Sequence, residues 1–429
     1  MNRRNIVALA LAAVGWTASA APPYDVAAPT AAPSLAPMPA TDASLPALGA
    51  DGWRESNDRV GAMPRGHMDV LRWEARNLPK AEAATASGTP LAIGEALRMA
   101  LAARPDLVVT TESSELDRQR ADKEAREVAR EVYRAWIDAV AANAALKHAT
   151  AAFEAIDTGD TLATRMTRTG TWGQDRLLRS RLARADALAA MADARTELFA
   201  ARAHLASLLG LWGEAAETLR LPEALPALPD APLAYDGLET RALQGNPELT
   251  VRVRDAHWAE RGVPDGTRQR WREAIAAQLP DAGTTLDTLP ARAPLIDQRR
   301  LAIGHEAPAA SRQIAAAERL AVRIRNDVRA AWQSRNDAWL LAKEAREAVV
   351  PLTDSLQEQT LLRYNGMLAS TWEVLDGAAA QAMAHAAADD ALRRFWLAHT
   401  ELQNVLAGGE FAAPEAGGKR AAAGNAGGH

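Results

Sequence analysis

Val128, Val132, Trp136 and Val140 fall every fourth residue inside a stretch, Glu115 to Thr158, that holds neither proline nor glycine. Spacing of that kind puts them on one face of a helix. Asp122/Arg126, Glu127/Arg130 and Glu131/Arg134 supply helical charge pairs on the remaining faces. At 1.5 Å per residue such a helix reaches about 65 Å. The run RTGTWG at 168–173 is a turn, and Asp175 to Leu209 forms a second long helix with Leu188, Met191, Leu198, Leu205 and Leu208 along a coiled-coil seam. Two long helices joined by so short a turn predict an antiparallel hairpin.

The pattern then repeats. LPEALPALPDAPL at 221–233 interrupts it with four prolines. Beyond lie a helix leading to Pro247, a long helix from about Ala309 to Leu361 that Pro351 should kink, a turn RYNGMLAS at 363–370, and a returning helix ending near Leu406. Leu91, Ala100, Leu101, Pro105 and Leu107 recur as Leu233, Ala242, Leu243, Pro247 and Leu249, an offset of 142. EVYRAW at 131–136 recurs as DVRAAW at 327–332, an offset of 196, and Ile324, Val328 and Trp332 match Val128, Val132 and Trp136. From Leu107 to Trp136 is 29 residues and from Leu249 to Trp332 is 83, so the second copy holds 54 residues that the first lacks. Thr89 before Pro90 reads as an N-cap with proline at the first helical position, and that helix must stop by Arg104, ahead of Pro105.

Composition narrows the class. Hydrophobic residues make up 48% of the 429 but aromatics only 5%, which favours long alanine-lined helical contacts over a thick core. Basic and acidic residues, 49 and 54, are mixed throughout, and no basic stripe points to nucleic acid. Arg3 and Arg4, the apolar run Ile6–Val14 and Ala18-Ser19-Ala20 have the layout of a cleaved signal peptide, placing the mature chain in the periplasm and leaving outer-membrane association open. There is no cysteine, hence neither a disulfide nor a lipidated cysteine behind that signal. The expected division is signal peptide 1–20, Ala/Pro-rich linker 21–50, N-terminal segment 51–90, first helical repeat 91–210, connector 211–232, second helical repeat 233–408 and disordered tail 409–429.

At residues 91–408 the chain resembles the TolC-type outer-membrane efflux proteins. The halves of that family open with a helix ending in an Asn-Pro-Asp/Glu-Leu-like string, matched by RPDL at 104–107 and NPEL at 246–249. Its hairpin tips carry Arg-Tyr-x-x-Gly-x-x-Ser-x-x-Asp/Glu-x-Leu. RYNGMLASTWEVLD at 363–376 is similar, with Met367 where the family has glycine and Gly366 one residue early. In the first half Gly170, Leu177 and Leu178 fit, and Gly173 replaces the serine. The resemblance implies an all-α periplasmic domain of long antiparallel hairpins in two repeats, a homo-trimer, and tips that meet a periplasmic adaptor and an inner-membrane pump. It also implies two β-strands per half, pooled into a membrane barrel. Here the sequence departs, because 29 residues cannot hold two strands of about 9–11 residues with their turns. The longer segment 262–308 has five prolines and no apolar alternation beyond TTLDTL at 284–289. Little or no barrel is expected.

The partner-contacting residues expected from the tips are Arg168, Gly170 and Trp172 in the first half and Arg363, Tyr364, Ser370, Trp372 and Glu373 in the second. An exposed tip tryptophan suits docking to a partner, and folding back onto its own helix is the equal alternative. Trp136, Trp332 and Trp339 are expected in the hairpin seams. The eight histidines show no metal-ligand spacing, and no catalytic constellation or cofactor motif is present. Met63, His67 and Met68 in MPRGHM are weak candidates for soft copper ligands, with a surface turn the plainer reading. The expected function is a non-enzymatic TolC-like component of a tripartite efflux system, with heavy metals as one substrate class. The alternative is a barrel-less periplasmic scaffold or regulatory module without transport.

Overall fold

A computed structural model describes residues 38–39, 89–278 and 295–412. The expected signal peptide, the MPRGHM candidates Met63, His67 and Met68, the TTLDTL segment and most of the tail lie outside the described residues. Within them the chain is all helical, with no strand: α1 (Ile93–Ala102), a 3₁₀ turn (Pro105–Leu107), α2 (Glu115–Arg168), α3 (Gln174–Leu208), a single turn α4 (Glu214–Glu217), α5 (Leu238–Gly245), α6 (Pro247–Arg261), α7 (Asp265–Ala276), α8 (Glu306–Glu344), a π-turn (Ala345–Val349), α9 (Val350–Asn365) and α10 (Thr371–Leu406). Both predicted hairpins are present, α2–α3 and α8/α9–α10. Helix α2 runs through Gly159 to Arg168, ten residues past the expected end at Thr158. Pro351 lies two residues beyond the π-turn, after Val350. Having no N–H and crowding the carbonyl four residues back, proline favours the wider i→i+5 turn at that point.

The expected N-cap at Thr89 is not formed. Helix α1 begins at Ile93 because Leu91 is spoken for on both sides. Its N–H donates to the Arg220 carbonyl at 2.9 Å, and its own carbonyl accepts the Trp136 indole N–H at 2.9 Å. The residue must stay extended to serve both.

Matched residues of the two sequence copies do the same work. Trp332 donates its indole N–H to the Leu233 carbonyl at 2.8 Å, which reproduces the Trp136–Leu91 bond across both offsets. Ala100 and Ala242 are fully buried, as are Val132 and Val328. Two further indoles hold the proline-rich connector: Trp339 bonds the Pro229 carbonyl at 2.8 Å and Trp396 the Pro226 carbonyl at 3.0 Å. The tryptophans expected in the hairpin seams thus tie irregular chain to the helices, satisfying carbonyls that no helix ladder serves.

The copies diverge where the 54 extra residues begin. Asn246 caps α6, its side-chain oxygen accepting the Leu249 N–H at 2.8 Å. Arg104, at the matching position, has no capping oxygen and binds Asp106 at 2.7 Å instead, so the first copy makes only a 3₁₀ turn there.

The long helices lie in an open row, α3 on α2, α2 on α10, and α10 on α8 and α9. Polar clamps stitch α2 to α10: the ion pairs Arg393–Asp138 at 2.7 Å and Arg130 and Arg134 on Glu401 at 3.2 and 3.7 Å, and a His148–Asp389 hydrogen bond at 2.9 Å. The outer helices keep apolar residues exposed, Leu182 and Phe199 on α3 and Leu341, Leu352 and Leu356 on α8 and α9.

Helix α5 is pinned to α8 by Glu239. Hydrogen bonds from the Tyr235 hydroxyl and from the Arg329 and Arg325 guanidiniums hold its carboxyl down at about 2. The folded value lies below the ordinary 4.5, so this stabilisation is complete above about pH 4.5 and is lost as pH falls towards 2. Acid titrations followed by circular dichroism should show a shallower stability loss in that window for Glu239→Gln than for the parent chain.

Candidate functional site: the apposed hairpin tips

Each tip is built by local sequence. Helix α2 ends where Gly170 turns left-handed at φ +75°, and the Met166 carbonyl then accepts the Thr171 N–H at 2.9 Å and the Thr171 hydroxyl at 2.8 Å. At the second tip α9 ends at Asn365 and the left-handed residue is Met367, at φ +60°. Gly366, one position early, has an ordinary φ of −84° and contributes no such freedom. A β-carbon in the left-handed region costs about 1–2 kcal/mol, of which glycine returns about 0.5–1 to its own backbone entropy. Met367→Gly is therefore expected to stabilise the chain by roughly 0.5–1 kcal/mol, read as a higher midpoint in urea.

Ser370 opens α10 with a reciprocal cap. Its hydroxyl accepts the Glu373 N–H at 3.2 Å, and the Glu373 carboxylate takes the Ser370 N–H at 2.6 Å. These bonds, first from the Ser370 backbone and then from its hydroxyl, hold the Glu373 carboxyl below its usual range, with Arg363 adding a favourable charge. Loss of the cap in Ser370→Ala should lower stability by about 1 kcal/mol in the same denaturation experiment.

The tips meet through Trp172 and Trp372, whose rings stack with centroids 4.6 Å apart and planes 29° from parallel. The Arg176 guanidinium lies 5.4 Å over the Trp172 ring. Trp372 sits in a notch of α2: a β-carbon at Gly159 would come within 2.9 Å of its ring. Neither tryptophan is a free-standing docking knob, since both are half-buried against each other and the helices. Arg168, Gly170, Arg363, Ser370 and Glu373 are exposed around the stack, Tyr364 is half-buried, and Met367 is almost wholly exposed. No sequence motif marks Gly159 or Arg176 as part of the tips. Gly159 does carry a local signal, as the lone glycine inside α2.

A second pairing crosses the bundle farther from the tips. The His148 and His385 rings stack 5.9 Å apart, and His385 bonds Asp354 on α9 at 2.9 Å as His148 bonds Asp389. Among the described residues no three His, Asp or Glu side chains converge in a way that could hold a metal ion. Nor is any described helix long and apolar enough to cross a membrane.

No protein-family profile matches the chain, and no curated protein does. Among solved structures it is similar to a membrane protein from Pseudomonas aeruginosa, at 17% identity and TM-score 0.49 over 74% of this chain and 72% of that one. It is similar also to the outer membrane protein VceC of Vibrio cholerae, at 16% and 0.47 over 74% and 76%, and to CusC, at 15% and 0.44 over 74% and 92%. The described body is all helical. Its two long hairpins run side by side, and both tips lie at one end, locked by the indole stack.

Proposed function

We propose that the protein is a TolC-like component of a tripartite efflux assembly, and that the apposed tips are the surface offered to a periplasmic adaptor. The observation that carries this reading is the Trp172–Trp372 stack, which fixes two hairpin tips into one face ringed by Arg168, Arg363 and Glu373. Shared face and cationic rim suit an acidic helical hairpin on the partner. Apolar exposure on both outer helices of the row, Leu182 and Phe199 at one edge and Leu352 and Leu356 at the other, supports closure by further copies, and we take the assembly to be a homo-trimer coupled to an inner-membrane pump. Heavy-metal efflux is the proposed substrate class, on the MPRGHM segment alone.

Size-exclusion chromatography with light scattering tests the assembly. A trimer that Leu352→Asp/Leu356→Asp breaks, and adaptor capture that Arg168→Glu/Arg363→Glu abolishes, are the expected results. A stable monomer that ignores every co-expressed adaptor would overturn the reading. A second reading, a barrel-less periplasmic scaffold, is favoured by one feature: only residues 108–114 separate the 3₁₀ turn from α2, where a channel subunit would need two membrane strands. Cell fractionation separates the two. A heat-stable trimer in the outer membrane belongs to the channel, and a wholly soluble periplasmic protein to the scaffold.

A further inference from the structure

Among the described residues, no element packs over the cationic, aromatic outer face of helix α6. Leu249 and Ala256 point inwards and are buried. Arg254, His257, Trp258 and Arg261, spaced i, i+3, i+4 and i+7, share the outer side, and all four are exposed. Trp258 is 75% exposed, the most exposed tryptophan among the described residues. The neighbouring carboxylates are engaged: Glu248 by Arg252 at 2.6 Å, Asp255 by Arg254 at 3.4 Å, and Glu260 and Asp265 both by Arg268. Arg261 and Arg272 form no ion pair among the described residues, and each lines one of two shallow depressions, of about 610 and 480 Å³, that meet at Glu260. The module lies far from the tips. It packs through Val263 and Ile303 on Ala307 and Ala310, at the start of α8, and from Ala307 to Asn365 the chain climbs about 87 Å at 1.5 Å per residue.

We infer that the outer face of α6, extended by α7, is a peripheral contact for an anionic phospholipid surface. Guanidinium groups bind phosphate oxygens in a bidentate fork, and an indole seats at headgroup depth with its N–H in water. Shallow depressions lined by Arg254, Arg261 and Arg272, with the exposed Trp258 indole on the same helix, suit a plane of phosphates better than a single protein side chain. Each arginine near such a surface is worth roughly fivefold in partitioning, and the attraction fades beyond a Debye length. The inference does not rest on the efflux reading, since it concerns the opposite end of the helices and needs neither trimer nor adaptor.

Sedimentation of the full chain with extruded vesicles tests it. Vesicles with equal parts phosphatidylglycerol and phosphatidylcholine should bind about tenfold or more of what pure phosphatidylcholine binds at low salt. Arg254→Glu/Arg261→Glu should bring binding down to the phosphatidylcholine level, and Trp258→Ser should weaken it several-fold. The control Arg98→Glu/Lys123→Glu, reversing two exposed charges elsewhere, should leave it intact. Far-UV circular dichroism checks that each variant folds, and Trp258→Ser keeps the test open should the charge reversal unfold. Equal binding to both vesicles, full binding by either α6 variant, or displacement of the vesicles by a soluble acidic protein at equal charge would overturn the inference.

Discussion

Replacing Trp136 with alanine is expected to lower the free energy of unfolding by about 3–5 kcal/mol, the largest loss from any single change to the helical body. The indole is 5% exposed and fills the space between α1, α2 and the connector beside Ala96, Ala100 and Leu205. Truncation removes its apolar surface, leaves a cavity the long helices cannot collapse into, and strips the Leu91 carbonyl of its donor. Trp136→Phe separates these effects. The ring volume is largely kept and only the hydrogen bond is lost, so the cost should fall to about 1–2 kcal/mol. The half-buried Trp332, bound to Leu233 in the same way, should show the same Phe penalty and a smaller Ala penalty. Urea unfolding followed at 222 nm measures all four variants. A Trp136→Ala loss within 1 kcal/mol of the Trp136→Phe loss, about what the bond alone is worth, would show that the indole serves only as a donor.

The difference between those two variants marks how far the sequence could be read. Val128, Val132, Trp136 and Val140 announce a buried helical face because a helix writes its own period into the chain, and three of the four are buried outright with Val128 at the margin. Nothing local announces that the Trp136 indole reaches a carbonyl 45 residues back, or that the same bond recurs at Trp332 over 99 residues. Those partners sit in irregular chain, where no periodicity operates. The failed cap at Thr89 has the same origin: Leu91 is held extended by groups at 136 and 220, and tertiary bonds override a local helix signal. Helix α7 was hidden for another reason. Its turns are rich in Arg and bury no residue fully, and Trp271, Ala274 and Ile275 are too few to mark a helix on their own.

The tips divide along the same line. The Ser370–Glu373 cap spans three residues, and the misplaced glycine at 366 foretells a strained Met367, so both were legible. The stack of Trp172 on Trp372 joins residues 200 apart, and composition could offer only the choice between an exposed aromatic and a folded one. The structure selects a third arrangement, in which each tryptophan folds onto the other hairpin's tip. That changes what the tips present to solvent. Their outward chemistry is carried by Arg168, Arg363, Glu373 and the side chain of Met367, while the indoles set the spacing between the hairpins.

Gly159→Leu should therefore act on the second hairpin from within the first. An ideal β-carbon at 159 lies 2.9 Å from the Trp372 ring, closer than packed carbons approach, and a leucine adds three more carbons in the same direction. Gly159→Ala is expected to be near neutral: the ring can withdraw a few tenths of an ångström, and the roughly 1 kcal/mol helix-propensity gain of alanine offsets the shift. Leucine leaves no such room. It should displace Trp372, break the stack on Trp172, and cost about 1–3 kcal/mol by overpacking. A double-mutant cycle isolates the cause. In the Trp372→Ala background the notch is empty, so Gly159→Leu should cost little or even stabilise, giving a coupling of about 1–3 kcal/mol between positions 213 residues apart in sequence. Near-UV circular dichroism should lose the stacked-indole signal in Gly159→Leu while the far-UV helical signal stays. An equal cost of Gly159→Leu with and without Trp372 would mean that the glycine serves the helix and not the junction between the tips.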